Sequence, residues 1–401
     1  MINNIIRTSH FTWKRDGLKP KDRVLAALNH EEPDRIPIDL GGTISTIHVK
    51  AYCDLLKYFG LVEDIYIMNS VSGVVCPSEA ILRRFNVDTR YVYPQITEYD
   101  HNPPSETKDK WGIKRKFTGY YYDVTPDGHP LAHLNDQSEL EIYPWPKAEE
   151  LWGTFRQGYT QGQNELDFDD TIKKAKTLSE GDYAVVLPYI VVGPFAFSML
   201  LRGFQKFLAD LLLHPRLAEG IMDKVTNIML DMIEKFVKPI GEYLDVVFFG
   251  DDLGMQTGPF ISPRLYKQYI KPRQKKIVDA FKRVSNARIA LHTDGSIAAF
   301  LDDFIDIGVE VINPVQVHAK GMDSQSLKQK FGKNVTFWGG IDTQRVLAFG
   351  TPNDVRLEVR KRIDELGPGG GYVLTSVHNI QPLTPPQNIE AMFDEAKRIR
   401  Y

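Results

Sequence analysis

The chain has 401 residues, of which 42% are hydrophobic and 25% charged. This is ordinary globular composition and excludes disordered, collagen-like and coiled-coil architectures. Its 49 Lys and Arg against 52 Asp and Glu leave a net charge of −3, with no basic excess to hold a phosphate backbone, so no nucleic-acid partner is expected. Cys53 and Cys76 are the two cysteines, too few for a disulfide scaffold and in keeping with a reducing compartment.

Residues 1–20 mix polar and single apolar side chains without the apolar core of a secretory leader. No run approaches the roughly 20 apolar residues that cross a bilayer. A cytoplasmic chain without membrane contact is the expectation. Residues 35–40 form a first short apolar run. Residues 99–151 follow a different beat: alternation and aromatics over 114–125, then a Pro126–Gly128 turn, predict a β-hairpin insertion near one end of the fold. From residue 184 onward, β-branched runs (184–192, 245–249, 288–291, 309–313, 335–338 and 371–374) read as strands buried on both faces. Helical periodicity covers 215–240, 263–284, 296–307, 353–366 and 385–399, with Gly308 and Gly367 as C-terminal stops. Strands alternating with helices predict parallel βα units. Seven runs, with one more to be found, predict an α/β protein of the (β/α)8 TIM-barrel class, one domain over 1–401. A doubly wound sheet is the alternative, but no Gly-x-Gly-x-x-Gly follows the first strand. No repeat of 20–50 residues is visible.

In a parallel barrel the functional face lies at the C-terminal strand ends. Polar groups follow the runs there: Asp39; Asp251 and Asp252; His292 and Asp294; Asn313, Gln316 and His318; Asp342; His378 and Asn379. His292 and Asp294, two apart on an extended segment, point the same way. With His378 from another strand end they make a candidate metal set that suits Zn²⁺ or non-haem Fe(II). The alternative is a helix cap at Asp294 and a hydrogen-bonded His292. Asp251 and Asp252 face opposite ways, so one of them points into the mouth as a base, ligand or substrate anchor. The alternative is a cap beside Gly250 and Gly254. His129 and His133 read as loop residues because Pro130 lies between them. Cys53 and Cys76 read as core thiols, and the charges at 20–23 as solvated surface.

At these motifs the chain resembles the uroporphyrinogen decarboxylase superfamily, in particular its methyltransferase-like branch. The resemblance rests on RVLAALN at 23–29, EPDRIP at 32–37, DDLGMQ at 251–256, ISP at 261–263 and HTDG at 292–295. It continues through NPVQ at 313–316, GGIDT at 339–343, VHNI at 377–380 and PPQNI at 385–389. It implies a (β/α)8 barrel. Decarboxylases of the family carry an Arg-rich loop after the first strand that grips substrate carboxylates. Here GGTISTIH at 41–48 holds no Arg, which argues against a porphyrinogen substrate. Zinc methyltransferases of the superfamily bind the metal through His-x-Cys and a later Cys. His292 matches the His, while Asp294 and His378 stand at the thiolate positions.

Harder ligands suit an oxygen donor better than a thiol acceptor. The resemblance thus implies a corrinoid-linked O-demethylase: a transfer, dependent on zinc or another divalent metal, of methyl from a small methoxylated, aromatic donor to a corrinoid protein partner. Asp251 or Asp252 is the expected catalytic carboxylate, and Asn313, Gln316, His318 and Asn379 are the expected substrate contacts. The insertion, with Trp111 and Tyr120 to Tyr122, is expected to cover the mouth or dock the partner. The near match to a cobalamin motif at Asp127, His129 and Ala132 lacks its glycine and reads as coincidence. Two other readings stay open: a decarboxylase-type lyase, and a non-catalytic small-molecule binder.

Overall fold

The computed structural model describes residues 17–93, 96–151 and 168–400. Most of the residues searched for a leader, 1–16, lie outside them. Seven parallel strands form the central sheet: β1 (Thr89–Tyr91), β2 (Ala184–Val192), β3 (Val246–Gly250), β4 (Arg288–His292), β5 (Val311–Asn313), β6 (Thr336–Trp338) and β7 (Tyr372–Val373). Each pairs with its sequence neighbour, in the order β7-β6-β5-β4-β3-β2-β1. Parallel neighbours need a crossover, and helices such as Pro215–Met232, Lys271–Val284 and Pro352–Leu366 supply it. The chain is an α/β protein on a parallel half-barrel sheet. Every residue of β2 and of β3 is buried, as Val- and Ile-rich strands covered on both faces must be.

The sheet's two edges meet a common segment. Ile38 bridges Leu374 in parallel. The Asp39 amide donates to Leu374 O (2.9 Å), and the Asp88 amide donates to Ile38 O (2.8 Å). Behind this junction lies a buried ion cluster. The Asp88 carboxylate, fully buried, accepts from Arg23 (2.6 Å), from both terminal nitrogens of Arg35 (2.7 and 3.0 Å) and from the Ile38 amide (2.8 Å). The charges at 20–23 are therefore not all solvated. Arg23 is buried and ties the helix Pro20–Leu28 to the sheet.

Strand β1 is the run missing from the sequence reading. It is three residues centred on Arg90, whose guanidinium pairs with Glu79 and stacks 3.6 Å over the Tyr183 ring. The long helices also differ from a uniform period. Residues Ile233–Val237 and Tyr266–Ile270 widen into π turns just before Pro239 and Pro272, where proline offers no amide to the α ladder.

The insertion is a three-stranded antiparallel meander rather than a two-stranded hairpin: Glu106–Lys108, Lys114–Phe117 and Tyr122–Val124. The chain reverses at Thr118 to Tyr121, where the Thr118 amide donates to Tyr121 O (2.9 Å), ahead of the Pro126 turn. No helix among the described residues is long and apolar enough to cross a membrane.

Candidate metal centre and cleft

Sheet register sets the site. His292, the last residue of β4, pairs with Gly250 of β3 and Asn313 of β5. The polar residues following those strands therefore emerge at one level. Gly250 is needed there because a Cβ would stand 2.4 Å from the Tyr189 ring, which packs near His292 with ring centroids 5.8 Å apart. His292 is buried, and its Nδ1 lies 2.7 Å from Asn313 Oδ1. The Asn313 amide nitrogen donates to Trp338 O (3.0 Å), so its oxygen faces the imidazole. That network assigns the proton to Nδ1 and leaves the Nε2 lone pair directed at the mouth.

Around Nε2 stand Asp294 Oδ2 at 3.7 Å and Asp252 Oδ1 at 3.8 Å. The His378 ring centroid is 5.7 Å from that of His292. His378 comes from the loop after β7. There the Val377 amide donates to Ile341 O and the Ile380 amide to Thr46 O, each at 2.8 Å. One potential ligand atom each from His292, Asp294 and His378 lies within 4.8 Å of the other two. Two imidazoles and a carboxylate, with the buried imidazole held in the ligating tautomer by a carboxamide behind it, fit a divalent ion such as zinc.

The adjacent carboxylates divide as alternation requires. Asp252 accepts from the Asp294 amide (3.2 Å) and faces the cluster. Asp251 is turned away and fully buried. It accepts from the backbone amides of Ala196 (2.7 Å) and Phe195 (3.4 Å) and from Gln274 Nε2 (2.9 Å). It thus caps the helix Pro194–Arg202, whose own N-cap is the side-chain-free Gly193. A Cβ at Gly193 would come within 2.0 Å of that carboxyl. Burial, opposed by those hydrogen bonds, pushes Asp251 up to about 7.

The remaining expected contacts also divide. Gln316 lines the cleft, with Oε1 accepting from the Gly295 amide (2.6 Å). His318 instead pairs with Asp342 (3.1 Å); Asp342 caps the following turn through the Gln344 and Arg345 amides. Asn379 is buried, accepts from the Thr46 amide and donates to Thr43 O, both at 2.9 Å. Those bonds lace two loops together and leave its amide no part in the cleft wall. His129 and His133 lie outside helices and strands, and both cysteines are free thiols.

Asp294 and His378 open into a cleft of about 910 Å³, a size that takes a small organic molecule. Its walls include Tyr120 and Tyr121 from the insertion and Phe260, Gln256, Gln344 and Gln381 from the strand-end loops. Bonds to Val71 O, Gln381 and His48 hold the insertion's tip, the first from the Tyr122 amide (2.9 Å). The Tyr121 hydroxyl donates to Gln381 Oε1 (2.6 Å). His48 Nδ1 accepts from the Lys50 amide, so its Nε2–H donates to Tyr120 O (3.0 Å).

Sequence reasoning missed Gln381, although it stands three residues after His378. It also left Asp39 without a role. Asp39 is fully buried and accepts from Thr89 Oγ1, Tyr91 OH and Trp338 Nε1 at 2.6, 2.8 and 2.9 Å; burial raises its pKa despite those bonds.

The sequence model of uroporphyrinogen decarboxylase (URO-D) matches residues 168–399, more than half of the chain. The chain belongs to the uroporphyrinogen decarboxylase family. The family match runs from just before β2 to the end of the last helix, so it contains His292, Asp294, His378 and both aspartates. The insertion and the loop 41–48 lie outside it.

Among curated relatives, the methylcobamide:CoM methyltransferase MtbA of Methanosarcina mazei is 27% identical over 235 residues, 57% of this chain and 63% of the relative. A uroporphyrinogen decarboxylase of Prochlorococcus marinus (strain MIT 9515) is 27% identical over 197 residues, 46% of this chain and 53% of the relative. The chain thus spans less than two thirds of the length of these family members. A solved methyltransferase from Methanosarcina mazei superposes with a TM-score of 0.62 at 18% identity, covering 95% of this chain and 99% of that one. The shared fold therefore extends beyond the matched family region.

Proposed function

We propose that this family member is a metal-dependent methyltransferase that moves a methyl group from a small methoxylated, aromatic donor to the cobalt of a corrinoid protein. The observation that carries this reading is the cluster of His292, Asp294 and His378 at the mouth of the cleft, with the His292 tautomer set by Asn313. Likeness to a methylcobamide:CoM methyltransferase supports the transfer class. The bridge at Ile38 supports residues 35–40 as the eighth stave of a (β/α)8 barrel, with 1–401 as one domain and 99–151 near its mouth.

In this reading His292, Asp294 and His378 hold a divalent cation, zinc first, which supplies Lewis acidity for an ether oxygen. The residues of the chain do the rest. Asp252 accepts a hydrogen bond from a ring hydroxyl, and Gln316 offers its amino group to an oxygen. Tyr120 and Tyr121 cover the ring and exclude water. The O–CH3 bond breaks with its electron pair on oxygen, and the methyl carbon bonds to cobalt(I) of the partner, which supplies the new pair. Asp251 is a positioning residue: by anchoring the helix Pro194–Arg202 it keeps Asp252 turned toward the cluster. The reaction needs a reduced corrinoid, which fits a cytoplasmic setting and the two free thiols.

The test is metal analysis of the purified protein together with methyl transfer from methoxylated aromatics to a reduced corrinoid protein. The expected result is about one divalent ion per chain and transfer that His378→Ala abolishes along with the ion. Unchanged metal content and unchanged transfer in that variant would refute the assignment.

A further inference from the structure

The chemistry of the cleft wall narrows the donor. This step rests on the methyltransferase reading of the site. We infer that the donor is an uncharged methoxyphenol, and that the cleft disfavours the same ring carrying a carboxylate.

Three kinds of group in and beside the wall bear on the choice of donor. Tyr120, Tyr121 and Phe260 present aromatic surface to a flat ring. Gln256, Gln316 and Gln344 present neutral carboxamides, which pair with hydroxyl and ether oxygens without favouring either sign of charge. Gln316 already accepts from the Gly295 amide through Oε1 (2.6 Å), so its amino group is the part left to donate. The third kind is acidic: Asp294 lines the cleft, and Asp252 stands 3.8 Å from the same imidazole nitrogen.

A ring carboxylate entering this cleft must shed water. Such a group is normally compensated by a charge-assisted, often bidentate, bond to Arg or Lys. Among the described residues, no Lys or Arg lines this cleft. A divalent cation at the centre would lie beside the carboxyl groups of Asp294 and Asp252, whose oxygens offset its pull on a second anion. A cationic donor likewise meets no surplus negative charge once the ion is bound. A neutral ring loses little on desolvation and gains the tyrosine and phenylalanine contacts.

The test is calorimetric binding to the zinc-loaded full chain at pH 7, using 2-methoxyphenol and 4-hydroxy-3-methoxybenzoate as probes. These differ in the ring carboxylate. The expected result is 2-methoxyphenol binding at least about tenfold tighter. Equal affinities, the reverse order, or no binding of either compound would overturn the inference. In Gln344→Lys, which places a cation on the exposed rim, the benzoate should gain several-fold while the phenol does not. No gain in a folded Gln344→Lys protein would also overturn it.

Because binding needs no corrinoid, the two readings fail separately. Tight binding of the neutral phenol without any methyl transfer would remove the methyltransferase reading. Transfer from the benzoate at a kcat/KM equal to or above that from the phenol would remove this inference and leave the methyltransferase reading in place.

Discussion

At the scale of single residues, the candidate site depends on groups packed behind the cluster of His292, Asp294 and His378. Asn313 fixes the His292 tautomer through one carboxamide whose other end is tied to Trp338 O. Removing such a partner typically lowers metal affinity about 10- to 100-fold. Asn313→Ala should do so in a chelator competition while leaving the circular dichroism spectrum unchanged; undiminished zinc affinity would show that the carboxamide does not orient the ring. Asp251 makes a prediction with a definite sign. Its folded pKa of about 7 lies above the unfolded value of about 3.9, so the folded state holds the proton more tightly. The resulting stabilisation is complete below about pH 4 and is lost as pH rises through 7. Asp251→Asn should therefore flatten the fall in Tm between about pH 4 and 8; the same slope in parent and variant would assign that fall to other groups. The opposite facing of Asp251 and Asp252 was legible from strand alternation. Which of the two faced inward was not, because the answer lies in the position of a helix that begins at Pro194.

At the scale of elements, the junction of the sheet's edges rests on charge. Asp88 joins Arg23, Arg35 and the Ile38 amide in the protein interior. Breaking a buried pair by removing one partner leaves uncompensated charge and costs about 3–5 kcal/mol. Asp88→Ala should lose stability of that order in denaturant unfolding, and a loss below about 1 kcal/mol would place the cohesion of the junction elsewhere. The insertion's tip meets the loop after β7 through a side-chain bond. Tyr121→Phe removes the hydroxyl bonded to Gln381, worth about 1 kcal/mol. It should raise KM for the donor more than it lowers kcat; an unchanged KM would separate the insertion's tip from substrate binding. The Ala184–Val192 strand was readable because it is apolar throughout. Thr89–Tyr91 was not, because its central Arg90 looks like a surface residue until Glu79 and the Tyr183 ring are seen to bury it.

At the scale of the whole molecule, the proposed metal centre is an edge feature of an already complete scaffold. Its first ligand is anchored in β4 by the parallel ladders to β3 and β5. The loop carrying His378 is anchored by the Ile341 and Thr46 carbonyls. Stripping a bound ion with a chelator should leave secondary structure intact and lower Tm, and restoring metal should raise Tm again by an amount that grows with its concentration. Complete unfolding on chelation would make the ion structural and move it out of the proposed chemistry.

Periodicity and local chemistry belong to the chain itself. The alternation of buried runs with helical patterns determined an α/β protein with parallel strands, and the spacing of His292 and Asp294 put both on one side of an extended segment, since side-chain direction follows backbone period. Tertiary structure decided everything that depends on distance through space. It brought His378 to His292 across the sheet, sent Asp251 to a helix end and His318 to Asp342, and placed Tyr120 and Tyr121 in the cleft wall. Those outcomes turn on which strand ends and loops become neighbours, and no local propensity encodes that.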